Sequence, residues 1–216
     1  HFLKTGYKEL SIPANPDGTH KLNDNSLHIW PRGEFMLIAL PNLDGSFTCT
    51  LFMPIEGEIS FEGLDTEEKL EAFFIKHFED AVDVIPDLIK DFFKNPTSSL
   101  VTIKCEPWSY WDKVALIGDA AHATTPNMGQ GACQAIEDAF IISECLSKYN
   151  IEKAFFKYQK LRQPKACQVV KISWMIGRLA HLSNPFAIRV RNTLLQVIPE
   201  IANRKQLEAI FRLNKL

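Results

Sequence analysis

Along the first 54 residues, short apolar runs alternate with clusters of turn-forming residues, the pattern of β-strands joined by tight connections. Lys8-Glu-Leu-Ser-Ile12 precedes a turn-rich stretch from Pro13 to Gly18, and Ser26-Leu-His-Ile-Trp30 follows it. Phe35-Met-Leu-Ile-Ala-Leu40 and Ser46-Phe-Thr-Cys-Thr-Leu-Phe52 flank Pro41-Asn-Leu-Asp-Gly45, whose Asp-Gly step supplies the positive φ of a hairpin loop. The prediction is an antiparallel sheet. Successive side chains of a strand point to opposite faces, so Met36, Ile38 and Leu40 share one face, Leu37 and Ala39 the other, and Phe52 joins the first group across the hairpin. From spacing alone the Met36 face is expected to be packed core.

The period then lengthens to that of helices. Thr66 is placed to cap a helix with Glu67 and Glu68 in its first turn and Leu70, Phe73, Phe74 and Phe78 on its apolar face. Pro86 starts a second run with Leu88, Ile89, Phe92 and Phe93, which Asn95-Pro96 stops. Both are expected to cover one side of the sheet. His77, among the phenylalanines, reads as a partly exposed packing residue, because no second metal-type residue lies at helical spacing from it.

A strand is predicted over Leu100 to Lys104, then an aromatic loop, Cys105-Glu-Pro-Trp-Ser-Tyr-Trp111. Val114-Ala-Leu-Ile117 has the continuous apolar pattern of a strand buried on both faces of a parallel sheet. Residues 150–216 are helical in pattern: Ala154, Phe155, Tyr158 and Leu161 recur at helical spacing, Pro164 is expected to break or restart the run, and Val169, Val170, Ser173, Trp174 and Gly177 continue it to a boundary at Ser183-Asn-Pro185. The predicted class is α+β with an α/β element, in segments 1–104, 105–149 and 150–216.

Composition narrows the class. The 216 residues are 46% hydrophobic and 23% charged, which excludes a disordered or low-complexity chain. A formal charge of -2 argues against nucleic acid or an anionic membrane surface as the main partner. The longest apolar stretches fall far short of the roughly twenty residues that cross a bilayer. The five cysteines are scattered without a CxxC pair, so neither a zinc site nor a disulfide framework is expected, and a reducing cytoplasmic setting is the simpler one. The chain opens on His1, its first methionine is Met36, and residues 2–10 already read as strand, so it is expected to be a piece of a longer product.

One segment concentrates the candidate chemistry: Gly118-Asp-Ala-Ala-His-Ala-Thr-Thr-Pro-Asn-Met-Gly-Gln-Gly-Ala-Cys-Gln-Ala-Ile-Glu-Asp138. A strand ends in Gly-Asp, a glycine-bearing loop follows, and a helix opens at Gly131 with Ala132, Ala135, Ile136, Ala139 and Phe140 as its apolar stripe. At the carboxyl end of such a strand Asp119 is placed to hydrogen-bond a sugar-like hydroxyl. Gly129 and Gly131 let backbone approach a flat ligand, and the free N–H groups from Gly131 to Cys133 present partial positive charge to the loop. Taken singly, Gly-Asp merely ends a strand and Gly-Gln-Gly merely eases a turn. Taken in order, the run points to a ligand site.

Gly118-Asp-Ala-Ala-His122, Pro126 and Gly129-Gln-Gly131 resemble the second flavin-contacting motif of the single-component, FAD-dependent aromatic hydroxylases. The resemblance implies that Asp119 holds the ribityl hydroxyls, that Gly118, Pro126, Gly129, Gln130 and Gly131 line the flavin, and that Ala132 and Cys133 offer amides to its pyrimidine edge. It also implies the activity: one oxygen atom of O2 enters an aromatic substrate at the expense of NADPH, with FAD as cofactor. Gly6-Tyr-Lys-Glu-Leu10, His28-Ile-Trp-Pro-Arg32, Phe35-Met-Leu-Ile-Ala-Leu-Pro-Asn42 and Asp44-Gly-Ser-Phe-Thr48 are similar to the substrate domain of the kynurenine-hydroxylating branch over about the first 120 residues. By that resemblance Leu27, Met36, Ile38, Leu40 and Phe52 line a substrate pocket, and Asn127 and Met128 stand where the branch places aromatic residues against the substrate ring.

From there on, including Tyr158-Gln-Lys-Leu-Arg162-Gln-Pro164, the chain looks more similar to the urate-hydroxylase and zeaxanthin-epoxidase branch. The amino-terminal Rossmann unit of the family is missing: Gly129-x-Gly131 is the sole Gly-x-Gly, with Gln134 where a third glycine would complete a dinucleotide fingerprint. Its amino-terminal half is therefore an expected partner, and the chain alone is expected to be inactive. Two rivals stand beside this reading. One is a non-catalytic ligand-binding module; the other is a hydrolase using Asp119 and His122, although no Gly-x-Ser-x-Gly elbow accompanies them.

Overall fold

In the computed structural model residues 2–180 and Arg189 are described. They fall into two compact units, one spanning Phe2–Leu100 and the other beginning at Val101.

The first unit is built on a five-stranded sheet of order β2-β3-β4-β1-β5, formed by β1 (Phe2–Ile12), β2 (His28–Arg32), β3 (Phe35–Pro41), β4 (Phe47–Pro54) and β5 (Ser98–Val101). β2, β3, β4 and β1 pair antiparallel in turn, with Ile29 opposite Ile38, Met36 opposite Phe52 and Leu10 opposite Cys49. The Asp44-Gly45 corner forms as predicted, with Gly45 at φ 85°. β5 ends three residues before the predicted strand does.

Alternation decides what this sheet buries. Phe35, Leu37, Ala39, Phe47, Cys49, Leu51, Met53, Leu10 and Ile12 form the core face, under α1 (Glu67–His77), α2 (Glu79–Val82) and α3 (Leu88–Lys94). Met36 and Ile38 are half-buried and Leu40 is 46% exposed, so the face expected to be core is the opposite one. The reason is the covering helices, whose phenylalanines Phe73, Phe74, Phe78 and Phe92 pack on the Leu37 side. Each such ring removed from water contributes about 1.5–3 kcal/mol.

The helices start and stop for local reasons. Thr66 Oγ1 accepts from Lys69 N at 3.4 Å, and Glu67 and Glu68 follow in the first turn, as their sequence predicts. His77 packs against Phe35 and Phe73, with ring centroids 5.2 and 5.0 Å away. α3 begins two residues after Pro86, and its carboxyl end is held by Lys8: Nζ donates to Phe92 O at 2.6 Å and to Asn95 O at 3.0 Å, while sitting 4.5 Å from the Phe92 ring. Burial lowers the pKa of this lysine.

The second unit holds the ribbon β6 (Ser109–Tyr110) and β7 (Val114–Ala115), α4 (Asp119–His122), a 3-10 turn at Pro126–Met128, α5 (Gly131–Lys148) and α6 (Ile151–Ala180). β7 corrects the expectation of a strand buried on both faces: it is two residues long, pairs antiparallel with β6, and leaves Val114 50% and Ile117 43% exposed. The apolar run is real, but among the described residues no sheet covers it. Pro164 does not break α6, which runs through it for 30 residues. Pro164 lies on the exposed side, where water can take the carbonyl its missing N–H leaves free, while Ala154, Tyr158, Ala166 and Val169 pack the other side. The Ser183-Asn-Pro185 boundary lies outside the described residues. None of the described helices is long and apolar enough to cross a membrane.

Candidate functional site

The ligand-type segment is organised around a buried carboxylate that the sequence does not advertise. Gly118 takes φ 57°, a conformation glycine alone adopts without strain, and an added Cβ would stand 3.2 Å from Ala135 Cβ. Its N–H donates to Asp138 Oδ2 at 2.9 Å, and its carbonyl receives Ala121 N and His122 N to start α4. His122 closes the same turn: Nε2 lies 2.5 Å from Asp138 Oδ2, and the ring packs, tilted, against buried Trp108 with centroids 5.1 Å apart. Since a carboxylate only accepts, Nε2 carries the proton of that bond.

The other oxygen of Asp138 belongs to α6. Arg162 Nε donates to Oδ1 at 2.7 Å, its Nη2 donates to Gln134 Oε1 at 2.8 Å and to Gln134 O at 3.3 Å, and its Nη1 pairs with Glu137 Oε2 at 2.7 Å. Burial by itself would raise the Asp138 pKa. The hydrogen bonds from His122, Gly118 and Arg162 outweigh it and hold the carboxyl below its ordinary value. Burial raises the Tyr158 phenol, with neighbouring Asp138 adding to the shift, and its hydroxyl donates to Leu116 O at 2.9 Å. Gln159 Oε1 accepts from Trp108 N, Ser109 N and Ser109 Oγ, fastening the ribbon to α6.

With the interior fixed, the outer groups remain open. Asp119 is exposed at the start of α4. Pro126 and Gly129 are exposed, Met128 and Gln130 half-buried, and Gly129 takes the left-handed conformation (φ 61°, ψ 22°) that turns the chain into α5. No side chain caps α5, so the N–H groups of Gly131, Ala132 and Cys133 end the helix unpaired, with Ala132 and Cys133 exposed. A Cβ at Gly129 or Gly131 would meet nothing within 4 Å, which leaves free space beside both backbones. Gln130 Oε1 is buried without a partner. An outward carboxylate, an uncapped helix start and two open glycines fit a flat, polyhydroxylated, electron-rich ligand such as a flavin nucleotide.

Asn127 behaves differently. Its Nδ2 donates to Thr125 Oγ1 at 2.8 Å and to Ser173 O at 3.1 Å, so the amide is engaged with α6. The substrate-type residues of the sheet stay together: Leu27 and Ile29 are exposed, Met36 and Ile38 half-buried, Leu40 exposed, and Phe52, beside Tyr7 at 6.2 Å, buried. Met36, Ile38, Leu40 and Phe52 have the strand parity opposite to the core face, and Leu27 directly precedes β2. Asn127 and Met128 belong to the other unit.

The hydrolase geometry fails: His122 is buried against Asp138 and Trp108, while Asp119 faces outward. Sequence reasoning also missed Asp138, Gln134, Arg162 and Gln159. For three of them the signal was helical spacing, Gln134 to Asp138 and Tyr158 to Arg162, each four residues apart, and Gln159 had none.

The FAD binding domain family covers residues 87–173. Kynurenine 3-monooxygenase of Flavobacterium psychrophilum is 61% identical over 175 residues, 80% of this chain and 39% of the relative, and that of Dictyostelium discoideum is 58% identical over 144 residues, 67% and 31% respectively. The chain thus spans about two-fifths of the length of its curated bacterial relatives. A 175-residue alignment in a chain of 216 runs well past residue 120, so the likeness to kynurenine 3-monooxygenases is not confined to the first part of the chain. Among solved structures, Klebsiella pneumoniae HpxO complexed with FAD and uric acid superposes with a TM-score of 0.71 at 18% identity, over 96% of this chain and 52% of that one, a likeness of fold. Over residues 87–173 the chain matches the FAD binding domain family, and over its aligned residues it is similar to kynurenine 3-monooxygenases.

Proposed function

We propose that this chain supplies the substrate sheet and the second flavin-contacting segment of an FAD- and NADPH-dependent monooxygenase whose substrate is L-kynurenine. The observation that carries the flavin half is the uncapped start of α5 next to open Gly129 and Gly131, with Asp119 outward. Identity of 61% and 58% to kynurenine 3-monooxygenases supports the substrate. When bound, FAD supplies electron transfer from NADPH and activation of O2.

The chain's own residues bind and orient. The Asp119 carboxylate accepts hydrogen bonds from ribityl hydroxyls, and the Gly131, Ala132 and Cys133 amides stabilise negative charge on the flavin edge they face. Gly118, Pro126, Gly129 and Gln130 shape the loop that lines the flavin, with Met128 beside it. Leu27, Met36, Ile38, Leu40 and Phe52 offer an apolar surface that accepts an aromatic ring and excludes water. No side chain here is assigned as acid or base, and His122 serves the interior.

The test joins this chain to the portion of its F. psychrophilum relative that it does not cover, then measures flavin absorbance and NADPH-dependent hydroxylation with L-kynurenine, urate and salicylate in parallel. Flavin binding with coupled hydroxylation of L-kynurenine is expected. Coupled turnover of only urate or salicylate would overturn the substrate, and absence of flavin absorbance would favour a non-catalytic binding module.

A further inference from the structure

Asp138 is closed to open space and meets the proposed flavin cradle only from behind, at the Gly118 N–H, yet both parts of that cradle hang from it. One of its oxygens pins the α4 turn at both ends, at Gly118 N–H and at the His122 ring, which leaves Asp119 on the outer side of a fixed single turn. Its other oxygen holds Arg162, which reaches on to both oxygens of Gln134 in the first turn of α5. The outward carboxylate and the uncapped amides are thereby set relative to each other by one buried ion pair. Asp138 is fully buried and Arg162 1% exposed, so water cannot replace these bonds when one is lost.

Resting on the flavin reading above, we infer that Asp138, held by Arg162, is the positioning residue that fixes Asp119 and the α5 amino end in their FAD-binding arrangement. It acts on the cofactor through Asp119 and the α5 amides and not by contact. In metal sites a group that orients a ligating residue from behind typically changes affinity by about 10–100-fold, and an effect at the lower end of that range is expected here.

The experiment uses the fusion described above and measures FAD affinity by fluorescence quenching and flavin absorbance for the parent, Asp138→Asn, Asp119→Asn and the double variant. Asp138→Asn keeps the shape but turns one acceptor into a donor facing Gly118 N–H or Arg162. FAD binding is expected to weaken about tenfold, and in the Asp119→Asn background Asp138→Asn is expected to weaken it by a smaller factor than in the parent, because part of its effect runs through Asp119. Unchanged affinity in Asp138→Asn, or full additivity in the double variant, overturns the assignment. Asp138→Asn with Arg162→Gln removes both buried charges and guards against misfolding. Wild-type FAD affinity in that variant, or failure of both variants to fold, also overturns a specific positioning role. If the parent itself shows no flavin spectrum, the flavin reading fails together with this inference; if it binds normally, only this inference is at stake.

Discussion

Asn127 places its amide against Gly177, in a space that exists only because residue 177 has no side chain. A Cβ there would fall on Asn127 Nδ2, inside contact distance. The amide fills the gap to reach Thr125 Oγ1 and Ser173 O, and Ser173 Oγ in turn donates to Thr125 O at 2.8 Å. The loop after α4 is therefore fastened to α6 at a point where α6 is glycine.

Gly177→Ala should evict the Asn127 amide and destabilise the second unit by about 1–3 kcal/mol, the usual cost of overpacking a filled site. Asn127→Ala with Gly177→Ala should be less destabilised than the sum of the single variants, since the clash is gone. Urea denaturation of the four proteins checks this, and additive losses would show that the two residues do not compete for the space.

The Asp138 carboxyl predicts an acid-sensitive fold. Its folded pKa lies below the ordinary 3.8, so the unfolded chain binds the proton more readily, and the stability Asp138 contributes is complete above that value. It is lost as pH falls below 3.8 through the depressed folded pKa. Unfolding free energy should therefore drop over that acid window in the parent, and the drop should be shallower in Asp138→Asn.

Thiol labelling should follow burial. Cys49 lies in the sheet core with its pKa pushed up by burial to about 12, whereas Cys133 is exposed at the start of α5. Iodoacetamide at neutral pH should modify Cys133 and leave Cys49 untouched until the protein is unfolded. In the FAD-loaded fusion the labelling of Cys133 should slow, and an unchanged rate would count against FAD lying at the α5 amino end.

Leu37 and Leu40 separate the two faces of one strand. Leu37→Ala opens a cavity in the packed face and should cost about 2–5 kcal/mol. Leu40→Ala, on the open face, should stay within about 0.5 kcal/mol of wild type and raise KM for the aromatic substrate in the fusion. Equal destabilisation by both would mean that the Leu40 face is core after all.

The hairpin around Asp44-Gly45, the Thr66 cap and the phenylalanine face of α1 could be read directly, because each depends on residues within a few positions of one another. The glycine-bearing loop that leads into a helix at Gly131 could be read for the same reason. α5 shows where such reading stops. Its apolar stripe faces outward, with Ile136 70% and Phe140 58% exposed, while Gln134, Asp138, Ile141 and Cys145 are buried. Periodicity ranks positions by hydrophobicity, and a buried Gln and Asp are tolerable only because Arg162, 24 residues beyond Asp138, arrives to pair them.

The sequence by itself determined the strand alternation, the helix starts and the glycine-bearing loop, since these follow from short-range sterics and hydrogen bonding within single segments. Only the tertiary structure decided which sheet face is core, that α6 continues through Pro164, and that Asp138 joins the turn at Gly118 to Arg162. Those outcomes depend on partners distant in the chain, and their energy comes from desolvation that no local window of residues contains.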